Sequence, residues 1–265
     1  MIANERTPER PTLITIPLSH FCEKARWGLD HARVPYVEKR HAPLFHANAV
    51  RRAGGRRRVP VLVTADGIIE DSTDVMLWAN ARAEKGRELY PEQPDARAEV
   101  LALEDHFDKE LGPSVRKAIY FYILPLPKLT IPLLTDGAPL HQRLLTRTIF
   151  RPLRKLMRSS MRIDQQAASH AMESVMRVME TVSDKLADGR RYLHGDRLGA
   201  ADITFASLAA PAVWVPNYAV PLPRLDELPA GLQKLVRDVR ATRAADFCLR
   251  IYRDARRDTE TPPAA

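Results

Sequence analysis

Cysteine is nearly absent from this chain. Cys22 and Cys248 are the only two in 265 residues. That is too few for a disulfide framework, and it suits a reducing, cytoplasmic setting. No apolar run reaches the roughly 18 residues that span a bilayer. Met1 to Pro11 is polar and charged, without the apolar stretch that directs secretion. No segment repeats, no metal site is expected, and no nucleic-acid motif accompanies the basic charge. These absences set aside disulfide-stapled, membrane-spanning and repeat architectures.

What is present is a hydrophobic fraction of 45% and a formal net charge of +8. The first supports a real core, and the second favours anionic partners. Residues 12–18 read as a strand and 20–33 as a helix that stops before Val34-Pro35. Tyr36 to Arg40 reads as a strand and 45–53 as a short helix ended by Gly54-Gly55. Strands at 61–64 and 68–70 bracket Ala65-Asp66-Gly67, a hairpin signal, and a helix follows over 72–84. This βαβ then ββα order is a thioredoxin-like layout. Residues 86–94 read as a linker, and 95–250 as an all-helical domain with periodic segments at 95–111 and 166–188. The expected fold is therefore α/β plus all-α. Residues 251–265 form a tail, and the lead-in at 1–11 and the stretch after Arg253 are expected to be disordered.

Ser19 stands at the N-cap of the first helix, where a hydroxyl lies beside unsatisfied backbone N–H groups. Arg58-Val59-Pro60 then precedes a strand, and Asp71-Ser72 opens a helix. Taken in that order, these segments resemble the glutathione-binding half of the cytosolic glutathione S-transferases. Tyr192 to Ile203 resembles the buried helix-capping segment of that family's helical domain, with Gly199 in place of the usual hydroxyl residue. A weaker cap is expected there.

The resemblance implies a transferase that joins the thiolate of glutathione to a small electrophile. Ser19 would stabilise the thiolate. A charge-assisted hydrogen bond contributes about 1.5–3 kcal/mol, worth one to two pKa units, and the helix N-terminus adds about 0.3–1 kcal/mol. No general base is required. Val59-Pro60 would be cis, presenting the Val59 backbone to the cysteinyl part of glutathione like an added strand. Asp71 and Ser72 would meet the γ-glutamyl ammonium and carboxylate, with Glu70 on the opposite face, and Arg58 would pair the glycyl carboxylate. Cys22, three residues after Ser19, is expected in the core, with a secondary role in thiol exchange as the competing reading. His20 is expected on the surface. The electrophile would bind between the domains, and a homodimer is implied.

Pro125, Pro127 and Pro132 are expected to prevent a straight helix over 123–134. From Arg143 to Arg162 cations recur at helical spacing and no acid intervenes before Asp164. Leucine, phenylalanine and methionine lie between them, and Pro152 is expected to kink the segment. This 143–162 stretch supports a second reading: a non-enzymatic, transferase-like protein that meets an anionic membrane or an acidic partner.

Overall fold

The computed structural model describes residues 10–256, so most of the expected lead-in and the end of the expected tail lie outside the described residues. The first domain holds β1 (Thr12–Thr15), α1 (His20–His31), β2 (Val37–Arg40), α2 (Phe45–Arg52), β3 (Val61–Thr64), β4 (Gly67–Ile69) and α3 (Ser72–Asn80). The sheet order is β2-β1-β3-β4, with β1 parallel to β2 and antiparallel to β3, and β3 antiparallel to β4. This is the thioredoxin-like arrangement.

The second domain is helical: α4 (Pro94–His106), α5 (Gly112–Ile123), α6 (Pro127–Thr135), α7 (Leu140–Ser160), α8 (Gln165–Lys185), α9 (Ala200–Val213), α10 (Ala230–Arg240) and α11 (Arg243–Ile251). A π turn over Phe107–Leu111 joins α4 to α5, so the helical path runs on from Pro94 to Ile123. Pro113 explains it. Proline lacks the N–H, and its ring crowds the carbonyl four residues back, so the wider turn absorbs the misfit.

α9 is buried along its whole length and packs on α1, α4, α5, α10 and α11. A helix apolar on all sides belongs at the centre. Its start compensates for Gly199. Asp202 accepts from the backbone N–H groups of Leu193 at 2.7 Å and Gly199 at 2.9 Å, while burial pushes its carboxyl up to about 7. A Cβ at Gly199 would lie 3.1 Å from the Leu89 carbonyl oxygen, which leaves little room for serine or threonine. At the other end Arg240 donates to the carbonyls of Val213 and Trp214, both at 2.9 Å.

α1 is the seam between the domains. It buries Glu23, Lys24, Arg26 and Asp30. Such charges require partners, and for all but Lys24 a continuous ladder supplies them. Asp136 pairs with Arg40 (2.8 Å), Arg40 with Glu38 (3.0 Å), and Glu38 with Arg26 (2.6 Å). Arg26 pairs with Glu23 (3.2 Å), Glu23 with Arg256 (2.9 Å), and Arg256 with Asp30 (2.8 Å).

One sequence expectation changes. Residues 254–256 are not a disordered tail: they complete a π turn over Tyr252–Arg256, with Tyr252 and Arg256 buried against α1 by packing and by that ladder. The prolines do interrupt the path over 123–134: α5 ends at Ile123, and α6 starts afresh at Pro127, in a first turn where no N–H is needed. α7 is one helix from Leu140 to Ser160 with Pro152 inside it. Pro152 and Thr148 are both exposed, so the Thr148 carbonyl left without an N–H partner is free to bond water.

Candidate functional site

The strand registers gather the singled-out residues at one end of the sheet. Ile14 pairs with Val61, and Leu62 pairs with Ile69. Continued two or three residues outward, those registers put Val59 abreast of Ile16 and Ser72 abreast of Val59. Ile16 accepts the N–H of Ser19 at 3.1 Å, closing the turn that leads into α1. Two helix N-termini, of α1 and α3, thus open beside the loop that ends in Val59-Pro60. That bond is cis.

Ser19 is the N-cap of α1, and its Oγ accepts from the N–H of Cys22 at 3.3 Å. Its own hydrogen remains available to a ligand. Cys22 is fully buried. Burial pushes its thiol up, against smaller opposing influences from Arg26 and the Ser19 side chain. It therefore remains a thiol at neutral pH.

Asp71 caps α3, with Oδ1 accepting from the Thr73 N–H at 2.8 Å, and is exposed to solvent. Ser72 is 2% exposed, held in the first turn of α3. Arg58 is exposed and Val59 half-buried. Glu70 does turn away from Asp71: its carboxylate accepts the N–H of Arg56 at 2.6 Å and steadies the basic loop.

His20 is a correction. It is 4% exposed and faces the second domain, not solvent. Burial, with the nearby Arg116 cation, pulls its imidazole down to about 3, so it is neutral. Phe21 packs so closely on α5 that a Cβ at Gly112 would sit 2.5 Å from its ring. Tyr218 donates to the carbonyl of Leu18 at 3.0 Å, pinning the residue before Ser19 to the helical domain.

Sequence reasoning missed Lys24, Thr73 and Asp108. The Lys24 ammonium is wholly buried beside Glu104 (3.1 Å) and Asp108 (2.8 Å), and it donates to Thr73 Oγ1 at 2.7 Å. It ties α1, the first turn of α3 and the π turn together beneath the site. A lysine at the buried stripe of an amphipathic helix is the one signal that pointed to it. Among the described residues, no group of three or more histidine, cysteine or acidic side chains is placed to hold a metal ion.

Residues 13–88 match the family model of the glutathione S-transferase N-terminal domain, and residues 129–236 match that of the C-terminal domain. Similar solved structures include a theta-class glutathione S-transferase from the citrus canker pathogen Xanthomonas axonopodis pv. citri, with glutathione bound. It is 18% identical over 92% of this chain and 98% of that one, with a TM-score of 0.56. The β-etherase LigF from Sphingobium sp. strain SYK-6 is 14% identical over 91% and 98%, with a TM-score of 0.56. A tau-class transferase from mango, Mangifera indica, is 17% identical over 91% and 92%, with a TM-score of 0.53. A search of curated proteins gives no match. The chain belongs to the cytosolic glutathione S-transferase family, and is an enzyme of the glutathione transferase class.

Proposed function

We propose that the protein conjugates glutathione to a small electrophile, with Ser19 stabilising the thiolate. The observation that carries this reading is the convergence of Ser19, Val59-Pro60 and Asp71-Ser72 at one end of the sheet, beside two helix N-termini. The Ser19 oxygen is engaged by the helix, which orients its hydrogen outward to a sulfur anion. The thiol proton leaves to water, and the thiolate attacks the electrophilic carbon, which on an activated aryl halide forms the carbon–sulfur bond as the carbon–halogen bond breaks and halide leaves to water. The α1 N-terminus adds favourable partial charge. Cys22, buried and protonated, stays out of the chemistry.

In this reading the Val59 backbone pairs with the cysteinyl unit. The α3 N-terminus with Ser72 receives the γ-glutamyl carboxylate, Asp71 its ammonium, and Arg58 the glycyl carboxylate. Phe21 packs on Gly112 of α5, and Arg116 of α5 lies near His20, so this junction of α1 with the helical domain is where the electrophile would sit. Family membership also supports a homodimer, for which light scattering should return twice the chain mass. Calorimetric titration with glutathione, followed by conjugation of an activated aryl halide at pH 6.5, tests the assignment. Saturable binding with turnover is expected, and no heat and no turnover would overturn it.

A further inference from the structure

α7 is built unlike the other helices. Its buried seam is Gln142, Thr146, Phe150, Leu153 and Met157, and α6 is its main packing partner. The opposite side carries Leu140, Leu144, Arg147, Arg151, Lys155 and Arg158, three to four residues apart and so on one face. Four of the seven exposed large apolar side chains described lie on this one helix: Leu140 (66%), Leu144 (52%), Leu145 (46%) and Leu156 (52%). Among the described residues, none of its cations forms an ion pair with a carboxylate. Toward its end, Arg151, Arg154, Lys155, Arg158 and Arg162 line an open hollow of about 730 Å³. The one acid there, Asp164, is engaged in capping α8 through the Ala167 N–H at 2.8 Å.

Like charges at this spacing repel one another, and solvated leucines gain nothing in water. An anionic lipid surface would relieve both at once. Phosphates would sit among the guanidinium groups and the hollow, while the leucines enter the acyl boundary. A single-stranded nucleic acid would call for stacking aromatics, but the only aromatic ring on α7 apart from His141, that of Phe150, is buried. We propose that α7 docks the protein on anionic membrane surfaces, lying in the interface plane and leaving the site at Ser19 free. No described helix is long and apolar enough to cross a membrane, so the contact is peripheral.

The test is co-sedimentation of the full chain with vesicles of phosphatidylcholine alone, or with 30% phosphatidylglycerol, at low and at physiological salt. Binding to the anionic vesicles alone is expected, weakening with salt. Each cation near such a surface is worth about fivefold in partitioning. The Arg147→Gln, Arg151→Gln, Arg158→Gln variant should therefore lose about 100-fold. Leu140→Ser with Leu144→Ser should lose about tenfold even at low salt, and both variants should keep the parent's melting temperature and glutathione affinity. Failure of the parent to bind at either salt would overturn the proposal. So would unchanged binding of the leucine variant together with equal retention on a polyanion such as heparin, which would transfer the face to an acidic macromolecule.

Discussion

Lys24 and Asp108, 84 positions apart, meet with Nζ 2.8 Å from Oδ2 in a place where the lysine side chain has no exposure. The contact crosses from the first helix of one domain to the π turn of the other. Removing the cation alone would strand Glu104 and Asp108. Lys24→Met should lower stability by about 3–5 kcal/mol, the usual cost of breaking a buried pair from one side. Lys24→Met with Glu104→Gln and Asp108→Asn should recover most of it. Urea unfolding of the two variants checks this, and a triple variant as weak as the single one would refute the account.

Thiolate formation is assigned to Ser19. Ser19→Ala should raise the pKa of the bound thiol and cut turnover at pH 6.5 by about 10- to 100-fold, from a hydrogen bond of about 1.5–3 kcal/mol. Cys22→Ala should cost about 1 kcal/mol of packing and little activity. Steady-state rates together with an ultraviolet thiolate titration separate the two. Loss of activity in Cys22→Ala, with Ser19→Ala unaffected, would point instead to thiol exchange.

Acid lability has an assignable source in His20. Its imidazole is pulled from 6.5 to about 3 on folding. Between those values the unfolded chain binds a proton that the folded protein refuses, so stability falls as pH falls through that window. His20→Gln removes the effect. Between pH 6.5 and 5, the parent's loss of unfolding free energy should exceed the variant's by about 1.5–2 kcal/mol. Parallel pH profiles would show that His20 is protonated in the fold.

Arg256 neutralises two buried carboxylates, Glu23 and Asp30. Arg256→Met should cost about 3–5 kcal/mol, and Arg256→Lys should restore part of this with fewer hydrogen bonds. Thermal melts check both. A drop in glutathione affinity is expected alongside, because α1 carries Ser19.

The order of strands and helices in the first domain was legible because each element has a local signature: alternating apolar residues, a serine cap, Asp66-Gly67 in a turn. The convergence of Ser19, Val59 and Asp71 was legible only through resemblance, since the register of β1 with β3 joins residues about 45–50 apart in sequence. The ion-pair ladder was not legible at all. Glu23 and Arg256 look like ordinary surface charges until the fold buries them together. His20 was misplaced because a histidine at a helix start gives no sign that a second domain will cover it.

The ladder on α1 bears on how the molecule is made. During synthesis the residues from Ser19 to Ser72 leave the ribosome early, yet Asp30, and the Glu23 oxygen that Arg26 does not reach, wait for their cation until residue 256 has been added. The early half therefore waits, incompletely neutralised, for a clasp encoded more than two hundred codons later. Expressed by itself, the thioredoxin-like half would have to hold α1 without Lys24's carboxylate partners and without Arg256, and so would not reproduce the site of the whole chain.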